Sequence, residues 1–223
     1  GSHQHRIHQA GIGYEADEHR PLRRQCQAGN SAYTKKVIRE SLYELMKDKQ
    51  IDKITVTQIC EKADVNRSTF YSYYTDIYDL HQKIIKEFFE MQQEVVNKSK
   101  NILESKKNLT QLTIDDYSEI AYAYVRTVKE NKELYKFIFN QNSTSSIHVS
   151  FGKVFYHMVH EILSPVLPEE HIESFRISFN FISGGTTSML MDWLTKDCPI
   201  PSKRLARILA HYYYGVFNSF AIK

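Results

Sequence analysis

The chain has 223 residues, 42% of them hydrophobic and 13% aromatic, which is enough for a sizeable core, and 25% charged with a formal net charge of +3. So small a charge neither demands nor forbids a polyanionic partner, and no apolar run approaches the roughly 20 residues of a membrane span. Three widely spaced cysteines (Cys26, Cys60 and Cys198) without a CxxC pair argue against a disulfide framework or a thiolate zinc site and fit a reduced, cytoplasmic setting.

Gly-Ser-His at positions 1–3 reads as the scar of a cleaved tag, and the stretch after it has Gly11, Gly13, Pro21 and Gly29 but no clear period. Residues 1–33 are therefore expected to be a disordered extension or a tag. From Thr34 a helical period begins, with Val37, Ile38, Leu42, Leu45 and Met46 at three- and four-residue steps. "QIDKI" breaks it. In "TVTQICEKA", Thr55 and Gln58 have the spacing of a capping box, and Val56, Ile59, Cys60 and Ala63 form one small apolar face. Asp64-Val65-Asn66 then makes a three-residue turn: Asp64 tolerates a left-handed backbone, Val65 plugs inward and Asn66 is a preferred N-cap. A helix of about seven residues follows from Arg67. Asp76 caps the next one, whose stripe of Leu80, Ile84, Phe88, Met91 and Val95 runs to about Ile102.

Two short helices joined by a three-residue turn are the layout of a helix-turn-helix, whose second helix enters the DNA major groove. An ordinary small helical bundle would share that layout. The stretch "ITVTQICEKADVNRSTFYSYYTDIYDL" resembles the N-terminal DNA-binding domain of TetR-family transcriptional regulators, with Ile59, Ala63, Val65, Thr69, Phe70, Tyr71, Tyr74 and Leu80 at the positions of the family pattern. Two residues depart from it: Asp64 stands where the turn glycine is usual, and Ile77 where a phosphate-contacting lysine is usual. The resemblance implies an all-α protein. Residues 34–80 would be a three-helix helix-turn-helix DNA-binding domain, and residues 81–223 a larger helical domain for ligand binding and dimerisation. A looser likeness, in "GGTTSMLMDWL", is to the subfamily near regulators of dihydroxyacetone metabolism.

Helix geometry divides the aromatic-rich segment. Phe70 and Tyr74, four apart, share an inward face, leaving Arg67, Ser68, Thr69, Tyr71 and Tyr73 on the remaining arc. The resemblance sets that arc against DNA, and its chemistry suits the role. Arg67 can pair bidentately with guanine, Thr69 can meet a thymine methyl, and the phenols of Tyr71 and Tyr73 suit phosphate oxygens. Asn66 and Thr57 join them as candidates.

Beyond residue 104 the sequence reads as more helix. "TIDDYSEIAYAYVRTVKEN" and "KELYKFIF" form a pair, "NQNSTSS" a polar loop, and "SIHVSFGKVFYHMVHEIL" a helix stopped near Pro165. A long helix interrupted at Gly184-Gly185 and a final helix from near Pro201 complete the chain. Both are apolar around so much of their circumference that one chain cannot bury them, which predicts a homodimer through these last two long helices, as the resemblance also implies. It further implies a repressor on a palindromic operator, released by an unidentified effector, a small molecule or a protein. Tyr122, His157, Met158 and Trp193 are candidate lining residues for that effector. No cofactor or metal is expected. "YHMVHE" puts His157 and His160 three apart beside Glu161, but no HExxH, phosphate loop or nucleophile motif accompanies it, so no catalytic residue is assigned. The second reading is a TetR-like interaction protein that acts through a protein partner, suggested by Ile77 and by a head whose acidic and basic residues balance.

Overall fold

The computed structural model describes residues 20–106, 111–139 and 145–219; the expectations for residues 1–19 and for the start of the "NQNSTSS" loop lie outside them. The described residues are helical, with no strand. In chain order the helices are α1 Arg20–Leu45, α2 Val56–Ala63, α3 Arg67–Tyr71, α4 Ile77–Glu104, α5 Ile114–Glu130, α6 Lys132–Ile138, α7 Ser145–Leu163, α8 Ile172–Thr195 and α9 Ser202–Ser219. Short 3-10 turns at Ile51–Lys53, Ser164–Val166 and Glu169–His171 link them.

The local signals that start these helices are satisfied as hydrogen bonds. Thr55 and Gln58 close a reciprocal capping box, with Gln58 N donating to Thr55 Oγ1 (3.2 Å) and Thr55 N to Gln58 Oε1 (3.0 Å). Asp64 ends α2 at φ 52°, the left-handed region that favours glycine and that aspartate tolerates. Asp76 accepts from Asp79 N (2.7 Å) and opens α4, and Thr113 with Asp116 boxes the start of α5.

Two boundaries differ from the sequence reading. Helix α1 begins at Arg20, not near Thr34, so the segment expected to be disordered as far as residue 33 is helical from Arg20 onward. Pro21 does not oppose this, because proline is tolerated in a first turn where no intrahelical N–H bond is lost. Helix α3 has five residues, ending at Tyr71. Ser72 Oγ turns back to Thr69 O (2.7 Å), and the amides of Tyr73 and Tyr74 both converge on Phe70 O (3.0 Å each), which tightens the chain out of the α-helix.

Helices α1 to α3 pack around Ile38, Leu42, Ile59 and Phe70, all with no exposed surface. Burying a side chain of this size stabilises the fold by roughly 1.5–3 kcal/mol. The long α4 leaves this head and runs through the body, where α5 packs most extensively along α9. Polar ties join distant segments. Arg39 of α1 pairs with Glu87 of α4 (2.6 Å), and the buried Gln92 Nε2 donates to Tyr135 Oη of α6 (2.8 Å). Arg207 of α9 bonds Asp115 of α5. Gly184 and Gly185 do not interrupt α8, which is continuous through them.

Candidate functional site: an exposed helix tip and an internal cavity

Two features stand out beyond the packed core. At the head, α2 and the turn after it hold α3 with Phe70 fully buried and Tyr74 nearly so, leaving the rest of the short helix at the surface. Arg67 and Ser68 are exposed, Tyr71 is 48% exposed, and Thr69 and Tyr73 are half-buried. Thr57, near the start of α2, is exposed as well. Asn66 acts through its carbonyl oxygen, which accepts from Thr69 N (2.7 Å) and from Ser68 Oγ (2.7 Å). That oxygen is thus committed to fixing the tip, and the Ser68 hydroxyl spends its proton on it. Arg67 leans over the Tyr71 ring (5.9 Å to the centroid), with Nη2 at 3.4 Å from Tyr71 Oη. Its guanidinium is held above its ordinary pKa by that contact and stays a cation.

Two basic residues that sequence reasoning did not select also reach this surface. Lys35 of α1 places Nζ over the Tyr73 ring (5.3 Å), and Lys83 of α4 donates to Tyr73 O (3.1 Å) and to Asp79 (2.9 Å). Ile77, where the family pattern has lysine, is buried. The cation at the end of α3 therefore comes from Lys83, six residues and about 1.7 turns further along α4. The i, i+4 spacing of Asp79 and Lys83 was the available signal.

In the body, side chains of α4, α5, α7, α8 and α9 line a partly open cavity of about 130 Å³. Its wall is apolar, with Val95, Phe155, Phe179 and Phe217 prominent, and Tyr117, Tyr124, Thr186 and Tyr213 also border it. None of the four candidate lining residues borders it. Trp193 is buried in the core, its Nε1 donating to Ile200 O (2.9 Å), where it braces the turn that carries Asp197 and Cys198 at φ 57° and 56°. Tyr122 lies under Lys203 Nζ (5.9 Å), His157 is exposed and Met158 is half-buried. These positions follow from the packing of five helices, which an aromatic count along the chain does not encode. His160 stacks on Tyr156 (5.4 Å), and among the described residues no three His, Cys, Asp or Glu side chains gather as metal ligands.

The outer face of α8 and α9 is apolar without being covered. Phe181 is 73% exposed, and it borders a groove with Gly185, Met189, Tyr212 and Val216. A Cβ added to Gly184, Gly185 or Gly215 would meet nothing within 4 Å. Among the described residues, no helix is long and apolar enough to cross a membrane.

Comparison with known proteins agrees with this architecture. Residues 115–215 match the family described as the transcriptional regulator C-terminal region of the TetR type. An uncharacterized HTH-type transcriptional regulator, YxbF, of Bacillus subtilis (strain 168) is 23% identical over 160 residues, which are 72% of this chain and 39% of that protein. The chain thus spans about two-fifths of that relative's length. In fold, the chain is similar to the fatty acid degradation regulator FadR from Bacillus halodurans, with a TM-score of 0.54 at 16% identity over 82% of this chain and 95% of that one.

Proposed function

We propose that this chain, a TetR-family transcriptional regulator, binds a palindromic operator as a homodimer, acts as a repressor, and lets go of DNA when its internal cavity takes up an effector. The observation that carries the reading is the division of the aromatic segment. Phe70 and Tyr74 anchor α3 in the core, while Arg67, Ser68 and Tyr71 are left outward on a tip that Asn66 fixes.

Each part of that tip has a distinct role. Arg67 is the base-reading residue, because a planar guanidinium matches the two acceptors of guanine in the major groove. Thr69 supports it with a methyl group and a hydroxyl. Tyr71, Tyr73, Thr57, Lys35 and Lys83 hold phosphates, which sets register without reading sequence. Asn66 and Ser68 position the tip. One five-residue helix reads few bases, so two copies on a two-fold site multiply the discrimination. The uncovered apolar strip on α8 and α9 supports the pairing: Phe181 and Tyr212 would be covered by the twin, and the open space over Gly185 and Gly215 admits a close neighbour.

Salt-dependent binding to the DNA upstream of its own gene is the test. Phosphate contacts release counterions, so the logarithm of affinity falls linearly with the logarithm of salt, at about −0.9 per contact. Lys83→Met should lower that slope by about one contact. A flat salt response would instead favour the second reading, in which the protein works through a protein partner.

A further inference from the structure

We propose that Thr186 and Tyr213 form a hydrogen-bonded partition between the cavity in the body and the groove outside α8 and α9. The partition opens to admit a molecule of two linked apolar rings, one ring in each space. This deepens the effector reading above, and it rests on the pairing reading only for its effect on the dimer.

The two spaces share a wall. Ile182, Thr186 and Tyr213 border both the cavity and the groove, so a single layer of side chains separates them there. On the cavity side Tyr117 packs edge-on against Tyr213, with ring centroids 6.4 Å apart. On the groove side stand Phe181, Met189, Tyr212 and Val216, with His211 among them. Within the wall, Thr186 Oγ1 of α8 and Tyr213 Oη of α9 share a hydrogen bond of 3.0 Å. Burial pushes the Tyr213 phenol up to about 12, so at neutral pH the bond joins two neutral groups.

Volume sets the size of the ligand. The cavity holds about 130 Å³, close to the roughly 150 Å³ that accepts benzene, so one ring fills it. That is below the roughly 300–1,000 Å³ of ordinary small-molecule sites. Joined to the groove of about 550 Å³, the cavity becomes part of a space inside that range. A second ring bonded directly to the first finds its room across the partition.

The wall can give at small cost. Opening it breaks one hydrogen bond, whose net worth is modest when each released hydroxyl finds another partner. Thr186 can turn its hydroxyl back to the carbonyl of Ile182, four residues earlier in α8, and Tyr213 borders a groove open to water. Gly184 and Gly185 stand just before Thr186, and Gly215 lies two residues past Tyr213. Glycine is a poor helix former, and a Cβ at any of these three would meet nothing within 4 Å, so the backbone beside the bond is lightly held.

The experiment titrates the full chain, without DNA, with fluorobenzene and with para-fluorobiphenyl, followed by fluorine NMR, with sedimentation run at the same concentrations. Both probes are expected to bind. Tyr213→Phe should tighten para-fluorobiphenyl by about fivefold, the net worth of one hydrogen bond, and leave fluorobenzene unchanged. Thr186→Val keeps the side-chain shape and removes the same bond, so it should act alike and keeps the test alive if one variant fails to fold. Gly185→Leu, which projects into the groove, should weaken para-fluorobiphenyl by about tenfold and spare fluorobenzene. Ala121→Leu adds volume at the cavity wall and should exclude both, with melting curves checking that each variant is folded. Failure of either probe to bind, equal effects of Tyr213→Phe on the two probes, or a para-fluorobiphenyl affinity unmoved by Gly185→Leu would overturn the proposal. Pairing is read separately. Para-fluorobiphenyl should shift dimer toward monomer in sedimentation, because its second ring takes surface that the twin would cover, whereas fluorobenzene should not. Binding that follows every variant with no shift in pairing would sink the reading of this strip as the pairing surface and leave the two-ring site standing.

Discussion

At Arg67 the side chain has few restraints: it is exposed, and its protein contact is a long bond to Tyr71 with the ring beneath. Such a group is free to turn into a groove, and its loss should cost the fold little. Arg67→Ala is expected to weaken binding to the specific duplex by roughly tenfold to a hundredfold and to relax preference at one base position, while binding to random duplex changes little. Tyr71→Phe should weaken both duplexes alike. Fluorescence anisotropy on the two duplexes separates the cases, and equal loss on both for Arg67→Ala would remove its base-reading role. The exposure of Arg67 and Tyr71 was legible because their place after a cap and opposite Phe70 is a local fact. Lys35 and Lys83 were not, since they reach Tyr73 from helices far away in sequence. The four proposed lining residues lie away from the cavity for a related reason: a side chain on a helix does not announce which of several neighbours it will face.

Among the elements, α3 is the most dependent on its cap, since a helix of five residues cannot pay for its own nucleation. Asn66→Ala should cost about 1 kcal/mol of stability and should weaken every duplex, because the tip loses its fixed conformation. Chemical denaturation and anisotropy together check this; unchanged DNA binding with lowered stability would show that the cap serves the fold alone. The sequence announced this element well, apart from its last turn, where Ser72 bends back to Thr69 in a way no propensity foretells. It announced the start of α1 poorly, because Arg20 to Tyr33 lacks the apolar period by which a helix is read. In α8, a Cβ added at Gly185 meets nothing within 4 Å among the described residues, and the position opens into the groove beside Phe181. Gly185→Leu should leave the subunit folded, and by helix propensity somewhat more stable. It should also shift dimer toward monomer in sedimentation, and a dimer of undiminished affinity would show that this strip is not the pairing surface.

For the molecule as a whole, head and body meet at Phe137 of α6, which touches Tyr43 of α1 (4.5 Å) and His81 of α4 (5.9 Å). Burial lowers the pKa of His81 below the ordinary imidazole value. The unfolded chain therefore takes up a proton at a higher pH than the folded one. The stability this neutral imidazole contributes is present above the ordinary value and is lost as pH falls through the lowered one. Thermal unfolding followed from neutral to mildly acidic pH should show that decline, and His81→Gln should flatten it; coincident slopes would assign the decline to other groups. The breaks between the helices were readable along the chain, whereas the way α6 is wedged against α1 and α4 depends on contacts that no single stretch contains. One element joins the two parts without a break. Helix α4 has 28 residues, about 42 Å at 1.5 Å per residue, with Leu80 under the helix-turn-helix head at one end and Ser99 and Leu103 at the cavity wall near the other. A rigid rod of that length converts a tilt of roughly 5° into about 4 Å of travel at its far end, comparable to the spacing of neighbouring base pairs. A shift in side-chain packing too small to alter the shape of the body is thus enough to carry a reading head off its register.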